Sequence, residues 1–220
     1  MAGSGKVIHL PDRNGLESGV APRPPGAESE PPETRLVRRL RAADPRAERA
    51  FIERYTGHVE RILVRILGYH PDLDDLTQDV FVRAFERLHE LHEPSGLHRW
   101  LTAIAVFVAR EAIRRKQRRR WLLFLPTEAT PEVEIPAASI EARSALRAFY
   151  EVVATLDADK RIAFTLRFVE GMELGEIAQV CDVSLATIKR RIKAAETDFQ
   201  ERGMARAELA EWLTEGTRWR

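Results

Sequence analysis

One cysteine, Cys181, occurs in 220 residues, so the chain can build neither a disulfide framework nor a thiolate-rich metal site. Cys181 falls on the apolar side of a helical pattern and reads as a small buried residue rather than a redox thiol. The six histidines, His9, His58, His70, His89, His92 and His98, show no ligand or triad spacing. His89 and His92 lie three apart on a helical pattern but have no further ligands nearby, which suits a surface pair. No glycine-rich phosphate loop is present. No apolar run reaches the roughly 20 residues needed to cross a bilayer, and the N-terminus lacks the apolar core of a signal peptide. Net charge is only +1, so bulk charge alone does not bring a polyanion to this chain. These absences argue against a disulfide-stapled secreted domain, a metal or nucleotide enzyme and a membrane span. They lead us to expect a cytoplasmic protein with no catalytic residue, no metal and no cofactor.

What is present is helical periodicity, and the fold class it implies is all-α in two domains. Residues 1–33 are rich in Gly and Pro and read as a disordered tail. From Thr34 the spacing turns helical through Leu36, Val37 and Leu40. Asp44 followed by Pro45 restarts the chain as an N-cap and first helical residue, leading into a stripe from Phe51 and Ile52 to Leu67 that Gly68 and Pro71 end. Asp72 opens a helix expected to run to Leu91. It buries Leu73, Leu76, Val80, Ala84, Leu88 and Leu91 and leaves Asp75, Gln78, Asp79, Val82 and Glu86 together on the other side. That acidic face suits a solvated helix start or a docking surface for a basic partner equally well. After Pro94–Gly96 comes a helix with Trp100, Leu101, Ile104, Ala105, Val108 and Ala112 at core spacing. It grows steadily more basic through Arg110, Arg114, Arg115, Lys116, Arg118, Arg119 and Arg120, and Trp121 follows. Cations that track phosphates, with rings that can stack on unpaired bases, suit opened nucleic acid, although each tryptophan by itself suits a core better than a stacking site. Residues 122–139 carry Pro126, Pro131, Pro136, Glu128, Glu132 and Glu134 with no base, the composition of a linker. The first domain is thus 34–121 and the second 140–202, with an extra amphipathic helix in 203–220 around Leu209, Trp212 and Leu213.

Glu173–Glu196 gives the sharpest local signal. Leu174, Ile177, Ala178 and Cys181 make one apolar stripe, and Asp182 tolerates the left-handed conformation of a tight turn. Ser184 is the N-cap of a second helix that buries Leu185, Ile188, Ile192 and Ala195. Thr187, Lys189, Arg190, Arg191 and Lys193 occupy its other faces. Four cations in five residues without an acid exceed what solubility requires, and the pattern is that of a helix-turn-helix with a DNA-reading helix.

In this order, the parts resemble the small, two-domain extracytoplasmic-function (ECF) sigma factors of the sigma-70 family. The resemblance covers roughly 36–121 and 140–202. DLDDLTQDVFVRAFERL resembles region 2.2, which implies that Asp75, Leu76, Gln78, Asp79 and Phe81 dock on the β′ clamp helices of bacterial core RNA polymerase. HRWLTAIAVFVAREAIRRKQRRR resembles regions 2.3 and 2.4. That implies minus-10 opening and capture by Trp100, Phe107, Arg110, Arg114, Arg115 and Arg118. The segment from Leu156 to Glu196 resembles region 4, which implies minus-35 reading by Ser184, Thr187, Lys189, Arg190, Arg191 and Lys193. Promoter DNA and core polymerase are the implied partners, with an anti-sigma factor as a further candidate and no membrane insertion. Apolar Val106 and Phe107 stand where the family often has polar residues lining the minus-10 pocket, so a different minus-10 preference is expected. Two rivals remain at this point: a stand-alone helix-turn-helix regulator, and a non-enzymatic decoy for polymerase or an anti-sigma factor.

Overall fold

A computed structural model describes residues 30–68, 70–123 and 140–214. Among them are nine α-helices and no strand. Most of the expected tail and linker therefore lies outside the described residues, as do His9 and the proline-rich stretch around Pro131.

The first block begins with α1 (Pro32–Arg41), three residues earlier than a cap at Thr34 implied. In α2 (Pro45–Leu67) the local chemistry acts as expected. The Asp44 carboxylate accepts from the Arg46 amide, Pro45 opens the helix, and Gly68 closes it at φ 67°, a value that favours glycine. α3 (Leu73–Glu86) stops earlier than its periodicity suggests. A 3-10 turn at Leu88–Glu90 follows, which keeps both Leu88 and Leu91 buried. His89 accordingly sits in that turn, and its ring contacts the Glu86 carbonyl rather than forming a helical pair with His92. α4 (Leu97–Leu123) closes the block. Phe51, Tyr55, Val59, Ile62, Leu63 and Ile66 of α2 meet Val80 and Phe81 of α3 and Leu101, Ala105 and Val108 of α4. Phe51 packs edge-on against Phe81, with ring centroids 5.6 Å apart. Ile52, expected in this stripe, is exposed: it follows Phe51 by one residue and points about 100° away from it.

The second block comprises α5 (Ile140–Ala154), α6 (Ala158–Phe168), α7 (Leu174–Val180), α8 (Leu185–Gly203) and α9 (Ala207–Thr214). Val152, Val153, Leu156, Phe164, Ala195, Phe199 and Leu209 form its own core, where Phe164 stacks on Phe199 at 5.0 Å.

The two helical domains expected on either side of the linker are docked on each other. Ile162, Ala163 and Leu166 of α6 and Ile177 and Ala178 of α7 belong to the same buried cluster as α2 and α4. Polar contacts tie the same seam. Arg161, almost wholly buried, donates through Nε to the Ile66 carbonyl at 2.6 Å, next to the end of α2. Burial lowers the Arg161 guanidinium to about 10, so it stays charged at neutral pH. Arg65 donates to the Val169 carbonyl at 2.8 Å and to the Glu170 carboxylate, which also pairs with Arg61 at 3.4 Å.

Candidate nucleic-acid interface

The helix-turn-helix is built from local chemistry. Glu173 and Glu176 form a capping box at the start of α7. Asp182 adopts φ 52°, and its amide donates to the Gln179 carbonyl at 3.2 Å. The Val183 amide then donates to the Ala178 carbonyl at 3.0 Å, which turns the chain back. Ser184 Oγ accepts the Thr187 amide at 3.2 Å and starts α8. Ile188, Ile192 and Ala195 are buried, while Ser184, Lys189, Arg190 and Lys193 are exposed and Thr187 is half-buried.

Two residues of α8 depart from expectation. Leu185 is 44% exposed rather than buried, although Ile188 one turn on is fully buried. Arg191 does not face outward with its neighbours. It turns toward the first block and pairs with Asp159 at 3.1 Å.

On α4, Arg114, Arg115 and Arg118 are exposed, whereas Arg110 is only 18% exposed and pairs with Asp159 at 3.0 Å. Arg114 reaches the same carboxylate at 3.5 Å. Trp100 and Phe107 are half-buried. The Phe107 ring lies 5.1 Å from the Arg83 guanidinium and 5.4 Å from that of Arg87, so two cations already occupy its surroundings. Val106 is a core residue with no exposed surface, which corrects its placement at a DNA pocket: only Phe107 of that pair reaches the surface.

The acidic face of α3 also divides. Asp75 and Gln78 are exposed, Val82 is exposed at 54%, and Asp79 is half-buried against Arg83, which bridges it to Glu111. Leu76 and Phe81, expected in the same contact surface, are buried in the first core and support the helix from beneath.

The structure thus brings Trp100, Phe107, Arg110, Arg114 and Arg191 into one cleft of about 560 Å³, together with Asp159 and Asp182. It keeps Arg115, Arg118 and the outer face of α8 apart from it. Sequence reasoning missed Asp159, because an acid in the first turn of a helix is already explained by the helix dipole. A pair of rings was also missed: His58 and His98 lie 3.8 Å apart. His58 Nε2 lies 2.8 Å from Thr102 Oγ1, and Arg61 donates to Nδ1 at 2.9 Å. Burial, with help from His98 and Arg61, lowers His58 to about 4. Burial also raises the Cys181 thiol, which suits the packing role expected of it. Among the described residues no group of three or more potential ligands is placed to hold a metal ion, and no helix is long and apolar enough to cross a membrane.

Comparison with known proteins bears on the same two segments. The family model Sigma-70 region 2 matches residues 51–119, and Sigma-70, region 4 matches residues 146–198, together more than half of the chain. The chain belongs to the sigma-70 family, as an ECF sigma factor. Among curated relatives, the ECF RNA polymerase sigma-E factor of Haemophilus influenzae is 27% identical over 171 residues, covering 71% of this chain and 87% of the relative. The sigma-E factor of Escherichia coli is 27% identical over 168 residues, covering 71% and 86%. Two solved structures share the fold. The sigma factor RpoE in complex with the anti-sigma factor NepR from Bartonella quintana has a TM-score of 0.57 at 20% identity, covering 77% of this chain and 98% of that one. CnrH in complex with the cytosolic domain of CnrY has a TM-score of 0.52 at 20% identity, covering 78% and 97%. This sigma factor binds core RNA polymerase and promoter DNA and directs transcription initiation. The readings as a stand-alone regulator or a decoy are not favoured.

Proposed function

We propose that this sigma factor acts in the cytoplasm, without catalysis of its own, through three surfaces. The exposed part of the α3 face, Asp75, Gln78 and Val82 with Asp79 at its edge, docks on a basic surface of core polymerase. The outer face of α8, with Ser184, Thr187, Lys189, Arg190 and Lys193, reads the minus-35 duplex through base edges and phosphates. Trp100, Phe107 and the arginines from Arg110 to Arg118 take the opened minus-10 strand. The division into 34–121 and 140–202 assigns one promoter element to each block, so each contact can be weak and still act jointly.

The observation that carries this reading is the outer face of α8. Three exposed cations follow a capped helix start, and the opposite face is locked into a core. Run-off transcription with core polymerase tests it. Asp75→Lys is expected to lose association with core while still binding duplex DNA. Arg190→Ala is expected to keep core association and weaken promoter binding by about 1–3 kcal/mol. Equal association of Asp75→Lys and the parent with core would refute the docking assignment. Both structural neighbours were solved with a protein bound. On that basis we propose an anti-sigma partner for this chain too, checked by whether a co-purifying protein blocks its association with core.

A further inference from the structure

Four large apolar side chains are exposed among the described residues: Ile52, Val82, Leu185 and Met204. Leu185 is the one that stands on the face already given to duplex DNA. The exposed residues in the first half of α8 are Leu185, Ala186, Lys189, Arg190 and Lys193. Their spacing of i, i+1, i+4, i+5 and i+8 makes one stripe along the helix. Ile188 and Ile192 are buried on the opposite side at 0% and 7% exposure, which fixes how α8 is turned about its axis. Leu185 therefore points outward together with the cations.

The tip of α8 is built to approach a polyanion. Its first turn holds no acid, whereas the neighbouring helices α6 and α7 carry Asp159 and Glu176 there. The positive end of the helix dipole is thus left open to phosphate. The two hydroxyls at this tip are engaged locally. Ser184 Oγ and Thr187 Oγ1 lie 2.9 Å apart, and Ser184 Oγ also accepts the Thr187 amide. Leu185 and Ala186 then supply exposed carbon where the first residues of a recognition helix meet base edges. An isobutyl group neither donates nor accepts a hydrogen bond. Set against the polar edge of most bases, it would strip water from a donor or acceptor and replace it with nothing. Thymine alone offers a methyl group in the major groove.

We propose that Leu185 is a specificity-determining residue of minus-35 recognition, packing with Ala186 on the 5-methyl group of a thymine. This rests on the sigma-factor reading and adds a base identity to it. Leu185 precedes Lys189 by four residues, about 6 Å along the helix axis. Stacked bases are about 3.4 Å apart, so the thymine lies about two base pairs from the contact made by Lys189 or Arg190.

The test uses the full chain assembled with core polymerase on a promoter recovered by run-off transcription from a genomic library. Each thymine of the minus-35 element is replaced in turn by uracil, which removes the methyl group and keeps every hydrogen-bonding group. One such replacement is expected to weaken promoter binding by the parent about four-fold, the worth of burying one methyl-sized group. Leu185→Ala should bind the thymine and uracil promoters alike, and should fold as the parent does because the side chain is exposed. Met204→Ala removes an equally exposed side chain at the other end of α8 and should keep the four-fold dependence. Uracil that changes nothing at any position overturns the proposal, as does a minus-35 element with no A·T pair. So does a Leu185→Ala variant that keeps the dependence. A Leu185→Ala variant that loses core association instead also overturns it, since Leu185 would then be a protein contact. Transcription by the parent separates the two layers. If transcripts form while the uracil series is flat, only the thymine contact is refuted. If none form, the sigma-factor reading fails and the contact falls with it.

Discussion

Ser184 Oγ lies 3.2 Å from the Thr187 amide and so satisfies one of the donors that a helix start leaves open. Replacing it with alanine is expected to cost about 1 kcal/mol, read as a lower urea midpoint, since the loss of an N-cap usually costs that much. His58 gives a pH-dependent counterpart. Its ring is neutral in the fold down to about 4, while in the unfolded chain it protonates near 6.5. The unfolded chain therefore takes up the proton first. Stability contributed by His58 is complete above about pH 6.5, declines as pH falls, and stops declining near 4. A urea midpoint that falls between neutral and mildly acid pH in the parent, and falls less in His58→Gln, is the expected result. At this scale the sequence was legible where chemistry is local: Asp44, Gly68, Asp182 and Ser184 all behave as their neighbours dictate. It was not legible where a partner arrives from far along the chain. Arg191 looks like its cationic neighbours until Asp159, 32 residues away, appears beside it.

The helices themselves followed from apolar spacing, and their ends were harder to place. α3 stops at Glu86 because Leu88 and Leu91 reach the core better from a tightened turn, a tertiary preference that periodicity does not contain. The role of α9 was equally hidden, because the surfaces it covers lie on α5 and α8. Leu209 is 3% exposed within the second core, and Arg206 pairs with Glu151 of α5 at 2.8 Å. Arg202 also donates to the Thr155 carbonyl at 2.7 Å, joining α8 to the end of α5. α9 is thus a lid on region 4 rather than an appendage. Leu209→Ala is expected to destabilise the chain by about 2–5 kcal/mol in thermal unfolding, as buried leucine truncations generally do. A change near zero would show that α9 contributes nothing to the second core.

For the whole molecule, proline and acid content marked a linker at 122–139, most of which lies outside the described residues. Composition could not reveal that the blocks pack on each other. Ile162, Ala163 and Ile177 sit on ordinary amphipathic stripes, and a stripe does not say whose core it fills. Arg161 is the most direct probe of that packing, because its only carbonyl partner among the described hydrogen bonds, at Ile66, belongs to the other block. Arg161→Ala should lower stability by about 1.5–3 kcal/mol, the usual worth of a charged hydrogen bond. It should also split a single urea transition into two, followed by separate fluorescent probes on each block. A single transition that keeps its shape would argue that the apolar seam alone couples the blocks.

The shared seam bears on how this molecule can be taken apart. Severed near the middle of the sequence, the N-terminal piece would carry a raw patch where Ile162 and Ile177 used to lie, and the C-terminal piece would carry the matching one. Such halves would be adhesive in a way the intact chain is not, and binding measured on either alone would mix true recognition with that adhesion.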